Sequence, residues 1–147
     1  MKEILIKLFL RDLEKLKTEI TSYNNEAKMW EITDGIKNSG GNLCLHLLGN
    51  LQHFIGAVLG NSGYERKRDL EFSRKDVPLE EIINELEHTA MIVEKTLRSL
   101  SDNKMDEIYP IQKWESEVKT GFLLAHLLTH LNYHLGQINY HRRLLDN

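Results

Sequence analysis

The stretch from Leu127 to Leu145, LLTHLNYHLGQINYHRRLL, decides how the whole chain is read. It reads as one apolar helix, yet it carries His130, His134 and His141, with His126 one turn earlier, where a helical core would be filled more simply with leucine. At about 100° per residue the four histidines fall within an arc of roughly 80° on one face. Neighbours four apart have β-carbons about 6 Å distant, close enough for two imidazoles to share one ion. The same spacing also suits histidines at a wet helix edge or hydrogen-bonded within a core.

Outward from this helix, expected over 118–145, three more segments have helical length. The first is expected over 2–23, where Ile6, Phe9, Leu13, Leu16, Ile20 and Tyr23 form one apolar stripe while Lys7, Arg11, Glu14 and Lys17 stay wet. The second, over 42–59, is apolar around much of its circumference and stops at Gly60-Asn61-Ser62-Gly63. The third is opened by Asp76 and Pro78, carries Glu80 and Glu81 in its first turn, and repeats apolar residues at 79, 83, 86, 90, 93, 97 and 100. Between the first and second, Asp34-Gly35 and Asn38-Ser39-Gly40-Gly41 are turn and capping chemistry, and Trp30 and Ile32 are expected to tuck the linker inward.

Two prolines and no strand-like alternation, with four such helices, predict an all-α four-helix bundle in a single domain over 1–147. The connection from Gly60 to Val77 is long for a bundle. Extended, some 16 residues reach about 50 Å, more than the roughly 30 Å of a 20-residue helix, so the second and third helices can run parallel with a crossover between them.

Composition narrows the function. A formal charge of -3, from 19 basic and 22 acidic residues interleaved along the chain, offers no basic face for nucleic acid. The lysine before the apolar start resembles a signal peptide, but Lys7, Arg11 and Asp12 interrupt the run and no small-residue cleavage site follows. No apolar stretch reaches the roughly 18 residues of a membrane span. The single cysteine, Cys44, reads as a buried thiol in a reducing compartment, so a cytoplasmic address with no membrane partner is expected.

Against the apolar background of the second helix, His46, Asn50 and His53 project from nearly one face. A buried imidazole without a partner costs roughly 1–3 kcal/mol, so such groups are best explained if another helix's histidines and an ion satisfy them. Three neutral imidazoles plus a solvent position describe an open site for zinc, and nickel is compatible with the same donors. An ion there lowers the pKa of a bound water or thiol.

The segment His130-Leu-Asn-Tyr-His134-Leu-Gly136-Gln137-Ile138, with Leu45-His46-Leu47-Leu48-Gly49-Asn50 upstream, resembles the DinB-like (YfiT-like) metalloproteins. Trp30 and Asn38-Ser39 in the linker and Glu65 to Phe72 in the crossover resemble one uncharacterised bacterial subfamily, so the likeness extends over nearly the whole chain. The resemblance implies an up-down-down-up bundle and a three-histidine metal site carried by His46, His130 and His134. His53, about 10 Å further along its helix, is too distant to join an ion held by His46. His126 and His141 match no ligand of the pattern and read as structural or solvent-facing. Many members carry an acidic residue one turn after the first histidine; here that position is Asn50, a departure from the pattern at the place of a general base.

Gln137 lies one turn beyond His134, and Asn50 one turn beyond His46; each either orients its histidine or contacts another helix. Gly136 is expected to allow close helix approach, and Tyr133 and Tyr140 to make core or dimer contacts. Arg66, Arg68, Glu71 and Phe72 form either a solvated loop or a lid that binds substrate. The leading functional expectation is a metal-dependent transferase, acting as a homodimer as the resemblance implies, that activates a low-molecular-weight thiol against an electrophile. A metal-dependent hydrolase and a non-enzymatic metal-binding interaction protein are the alternatives.

Overall fold

The structure, a computed structural model, describes residues 1–146. It is all-helical: α1 spans Lys2–Thr21, α2 Gly40–Leu51, α3 Arg68–Ser73, α4 Leu79–Ser99 and α5 Thr120–Leu145. Among the described residues there is no strand, only an isolated antiparallel bridge between Ile108 and Lys119. Among the same residues no helix is long and apolar enough to cross a membrane. The helix α1 packs on α4 and α5, and α2 packs on α5, on α4 and on the short α3.

The apolar stripe of α1 is buried as its spacing predicts, from Ile6 through Phe9, Leu13 and Leu16 to Ile20. Burying each of these side chains stabilises the fold by about 1.5–3 kcal/mol. The helix ends two residues before the expected Tyr23, which is itself buried. Asp12, which no apolar pattern marks, is fully buried in the same stripe, where Arg11 Nε donates to it at 2.8 Å and Asn132 Nδ2 of α5 at 2.6 Å. Burial works to raise its pKa, but these donors and the charges of Arg11 and Lys15 hold the carboxyl below its ordinary value.

In the linker a 3-10 turn over Glu26–Trp30 brings Met29 and Trp30 into the core. Ile32, expected to join them, is 52% exposed, because the chain has already turned outward. The helix α2 starts two residues before the expected Asn42, at Gly40, with Ser39 Oγ accepting the Asn42 N–H at 3.1 Å. Gly41 belongs to the helix and not to a turn, since a β-carbon there would strike the Trp30 ring. All of α2 is buried. It continues into a π-helical turn over Gln52–Ala57, where the Val58 N–H reaches the His53 carbonyl at 3.0 Å. Tyr109, buried in the loop before α5, donates its hydroxyl to the Phe54 carbonyl of that turn at 2.7 Å.

The long connection holds α3, laid against α2. Asp76 takes a left-handed conformation (φ 53°) and does not cap α4; Pro78 is the N-cap residue. In α4 the heptad positions Leu86, Val93, Leu97 and Leu100 are buried, but Leu79, Ile83 and Ala90 are only half-buried. Ile82, Thr89 and Thr96 are buried beside them, so the inward face is rotated from the expected seam. On α5, Tyr133 and Tyr140 are 65% and 64% exposed and take no part in the core. Gly136 faces open space, with nothing within 4 Å of where its β-carbon would stand.

Candidate metal centre

Packing α2 against α5 brings His46 onto His130 and His134, and these three offer one ligand nitrogen each, all within 4.8 Å of one another. The rings meet edge-on: centroids lie 5.1 Å apart for His46 and His130, 5.3 Å for His46 and His134, and 4.6 Å for His130 and His134. The Nε2 atoms of His46 and His130 approach to 3.2 Å. His46 is buried, and the two histidines of α5 are half-buried.

The partners of the far ring nitrogens decide what this cluster can do. His46 Nδ1 lies 2.9 Å from Glu71 Oε1, and an ionised carboxylate only accepts, so Nδ1 carries the proton and Nε2 presents a lone pair. His134 Nδ1 lies 2.6 Å from Gln137 Oε1, and donation to that oxygen frees its Nε2 in the same way. His130 differs: its Nδ1 is buried without a hydrogen-bond partner. Burial above all, followed by the charges of His134, His46, Lys113 and His126, pushes the His130 pKa down to about 3. Burial also lowers His134, against the hydrogen bond to Gln137. Neutral imidazole is the state that binds metal, so this donor set could hold a metal ion.

Glu71 comes from α3 and is the residue that sequence reasoning missed as a partner for His46. Burial works to raise its pKa, but hydrogen bonds from His46 and Arg66 and their charges hold the carboxylate below its ordinary value. Arg66 grips it with both ends of the guanidinium, Nε to Oε2 at 2.9 Å and Nη2 to Oε1 at 2.8 Å. Gly49 makes room for this arrangement, because a β-carbon there would occupy the place of the Glu71 carboxylate. Phe72, the next residue of α3, covers His46 with its ring centroid 4.8 Å away. Within the crossover, Arg66 is therefore committed to Glu71. Arg68 is exposed and lies over the outer side of Phe72, 5.2 Å from its ring centroid.

The remaining candidates separate cleanly. Gln137 touches His134. Asn50 is buried with its Oδ1 unpartnered, and the Nδ1 of His46 is taken by Glu71 instead. His53 stands outside the cluster, its ring 4.7 Å from Phe54. His126 packs edge-on against Trp114 at 4.8 Å. His141 is buried and structural, with Nδ1 2.7 Å from Tyr23 Oη and Nε2 2.9 Å from the Glu31 carbonyl. No signal in the sequence marks Glu71 as the partner of His46, since it lies in a charge-rich segment where periodicity says nothing about direction.

No curated protein matches the chain. A family model described as "Protein of unknown function (DUF1572)" matches residues 5–147, nearly the whole length, and the chain belongs to that family.

Proposed function

We propose that this chain is a DinB-like metalloprotein, one domain folded as an up-down-down-up four-helix bundle, and that it is a cytoplasmic, dimeric enzyme transferring a low-molecular-weight thiol to an electrophile. The observation that carries the reading is the convergence of His46, His130 and His134, with one nitrogen of each within 4.8 Å of the others. Those three imidazoles would hold the ion, zinc or nickel by donor type, which when bound supplies Lewis acidity that eases ionisation of a coordinated thiol.

The protein's own groups have definite parts. Glu71 positions His46 by accepting from Nδ1, and Gln137 does the same for His134. Glu71 is not a general base, because both its oxygens are engaged by Arg66 and His46 and its pKa is held low. Phe72 keeps water from one face of His46. The nucleophile must come from outside: burial, followed by the charge of Glu85, pushes the Cys44 thiol far above its ordinary range, and it is fully buried.

Elemental analysis of protein loaded with zinc or nickel tests the first step, with about one ion per chain expected. A panel of bacterial thiols against 1-chloro-2,4-dinitrobenzene tests the second. The thiol sulfur forms the new C–S bond, chloride leaves, and the thiol proton passes to solvent. Stoichiometric metal with no thiol-dependent release of chloride under any member of the panel would reject the transferase reading and leave a metal-binding protein.

A further inference from the structure

Beside His134 a second feature begins that the metal centre does not explain. A cavity of about 500 Å³ lies between the 33–38 loop and the C-terminal half of α5, with His134 and Gln137 in its lining and Leu145 at its far reach. Along α5 that is a groove about 16 Å long. Its outer wall is Tyr133, Tyr140 and Leu144, all about two-thirds exposed, faced by Ile36 of the loop and floored by Leu43. The outer faces of Tyr133 and Tyr140, exposed on one stripe, form an apolar surface that a ligand can cover. A volume between about 300 and 1,000 Å³ is that of a small organic molecule.

The polar groups along the lining select its chemistry. His141 offers no free nitrogen, since Tyr23 and the Glu31 carbonyl take both, and the Gln137 oxygen is taken by His134. What remains is the Lys37 ammonium and the Asn38 amide, together with the Thr33, Tyr133 and Tyr140 hydroxyls and the Gln137 amide nitrogen, all of which can donate; Lys37 is the one cation among the described lining residues. Among the described residues no carboxylate lines the cavity, so none of them neutralises a cation there. A cation and an amide over an apolar trough suit one kind of ligand.

We propose that this groove binds an amphipathic organic acid, an aryl or branched apolar body carrying a single anionic group that Lys37 meets. That this acid is the electrophilic acceptor of the thiol rests on the function proposed above, whereas the binding site itself does not.

The test uses the full chain, loaded with cobalt for its absorption spectrum, and three probes: 4-phenylbutyrate, 4-phenylbutan-1-ol and butyrate. Calorimetry is expected to give one saturable site at which phenylbutyrate binds at least about tenfold tighter than either part-probe. Lys37→Gln is expected to remove most of that advantage over the alcohol, and Tyr140→Ala to weaken both aryl probes by about fivefold or more. Phe122→Ala, which trims an equally exposed ring of α5 outside the groove, is expected to change nothing. Because His134 lines the groove, phenylbutyrate should also perturb the cobalt spectrum.

Binding that ignores Lys37→Gln and Tyr140→Ala, or falls equally in Phe122→Ala, overturns the proposal as non-specific adsorption. A dimer that Tyr140→Ala dissociates in sedimentation, with no probe bound, overturns it in favour of contact between copies. If the chain takes up no metal yet the groove behaves as described, the function above fails while the binding site stands. If metal binds and no probe does, the groove alone fails.

Discussion

On α5, His141 commits both ring nitrogens to the fold, while His130, three turns earlier, commits neither to any residue outside the histidine cluster. Around His141 the proton positions are settled. Nε2 faces a carbonyl and must donate, and burial pushes the Tyr23 phenol upward so that it stays protonated and donates to Nδ1. Around His130 the only polar approach is another imidazole nitrogen at 3.2 Å, and the ring is kept neutral by burial and by its neighbours. The same side chain on the same helix is thus a hydrogen-bonded tie between segments in one place and a donor awaiting an electrophile in the other. Spacing along the helix cannot separate the two cases; the partner of the second nitrogen does.

The largest expected effect breaks the pair apart. His130→Ala should abolish stoichiometric metal uptake, a loss beyond the roughly 10–100-fold that removing a supporting hydrogen bond costs. The metal-free fold should be largely unaffected. His141→Ala should do the reverse: metal affinity stays, while stability falls by about 2–3 kcal/mol as the Tyr23 hydroxyl and the Glu31 carbonyl lose their partner. Elemental analysis and thermal melts of both variants check this, and a His130→Ala protein that keeps its metal ends the distinction.

The next effect sharpens it. Glu71→Gln keeps the shape but replaces a charged acceptor for His46 Nδ1, and metal affinity should fall about 10–100-fold. Gly49→Ala should give a similar loss through a different cause, since the new methyl group displaces the carboxylate that now fills that space. Competition with a chelator measures both. Equal affinity in all three proteins would mean that Glu71 serves only to neutralise Arg66 within the crossover.

How much of this was legible in the sequence follows from the same physics. The helices were legible because a repeating apolar stripe records one direction, toward the core, and Ile6, Phe9, Leu13, Leu16 and Ile20 all obey it. His46, His130 and His134 were placed together through a resemblance, and the fold does bring them together. The burial of Glu71 and Asp12 was not legible, because beside their near neighbours Arg66 and Arg11 each needs a partner distant in sequence: Glu71 pairs with His46, and Asp12 with Asn132. The rotation of α4 was missed because threonines at 89 and 96 count as polar in a pattern yet bury well, as the Thr89 hydroxyl does by donating to the Glu85 carbonyl at 2.7 Å. For Tyr133 and Tyr140 the core alternative fails, because an aromatic stripe signals burial against something without saying whether that partner is the protein itself.

A smaller effect comes from pH. The unfolded His130 takes up a proton near its ordinary value of 6.5, while the folded ring resists until about pH 3. Between these values the unfolded chain binds more protons, so the metal-free protein loses stability as pH falls below about 6.5, continuing toward 3. His134 acts in the same direction, and the lowered Glu71 adds a further loss below its ordinary 4.5. The melting temperature of metal-free protein should therefore drop from pH 7.5 to 5, and by less in His130→Gln; an identical drop in that variant would show that the neutral state of His130 is not set by the fold.

The smallest effect concerns Asn50, which stands one turn beyond His46 but does not supply its hydrogen bond. Its Oδ1 is buried without a partner, a state that costs roughly 1–3 kcal/mol when no compensating group is present. Leucine has the same branching and no polar atom to leave unpaired. Asn50→Leu should therefore leave stability unchanged or raise it by up to about 1 kcal/mol, and change metal affinity by less than about twofold. A tenfold loss of metal instead would give Asn50 the supporting role now assigned to Glu71, and the contrast between His46, held from the crossover, and His134, held from its own helix by Gln137, would have to be redrawn.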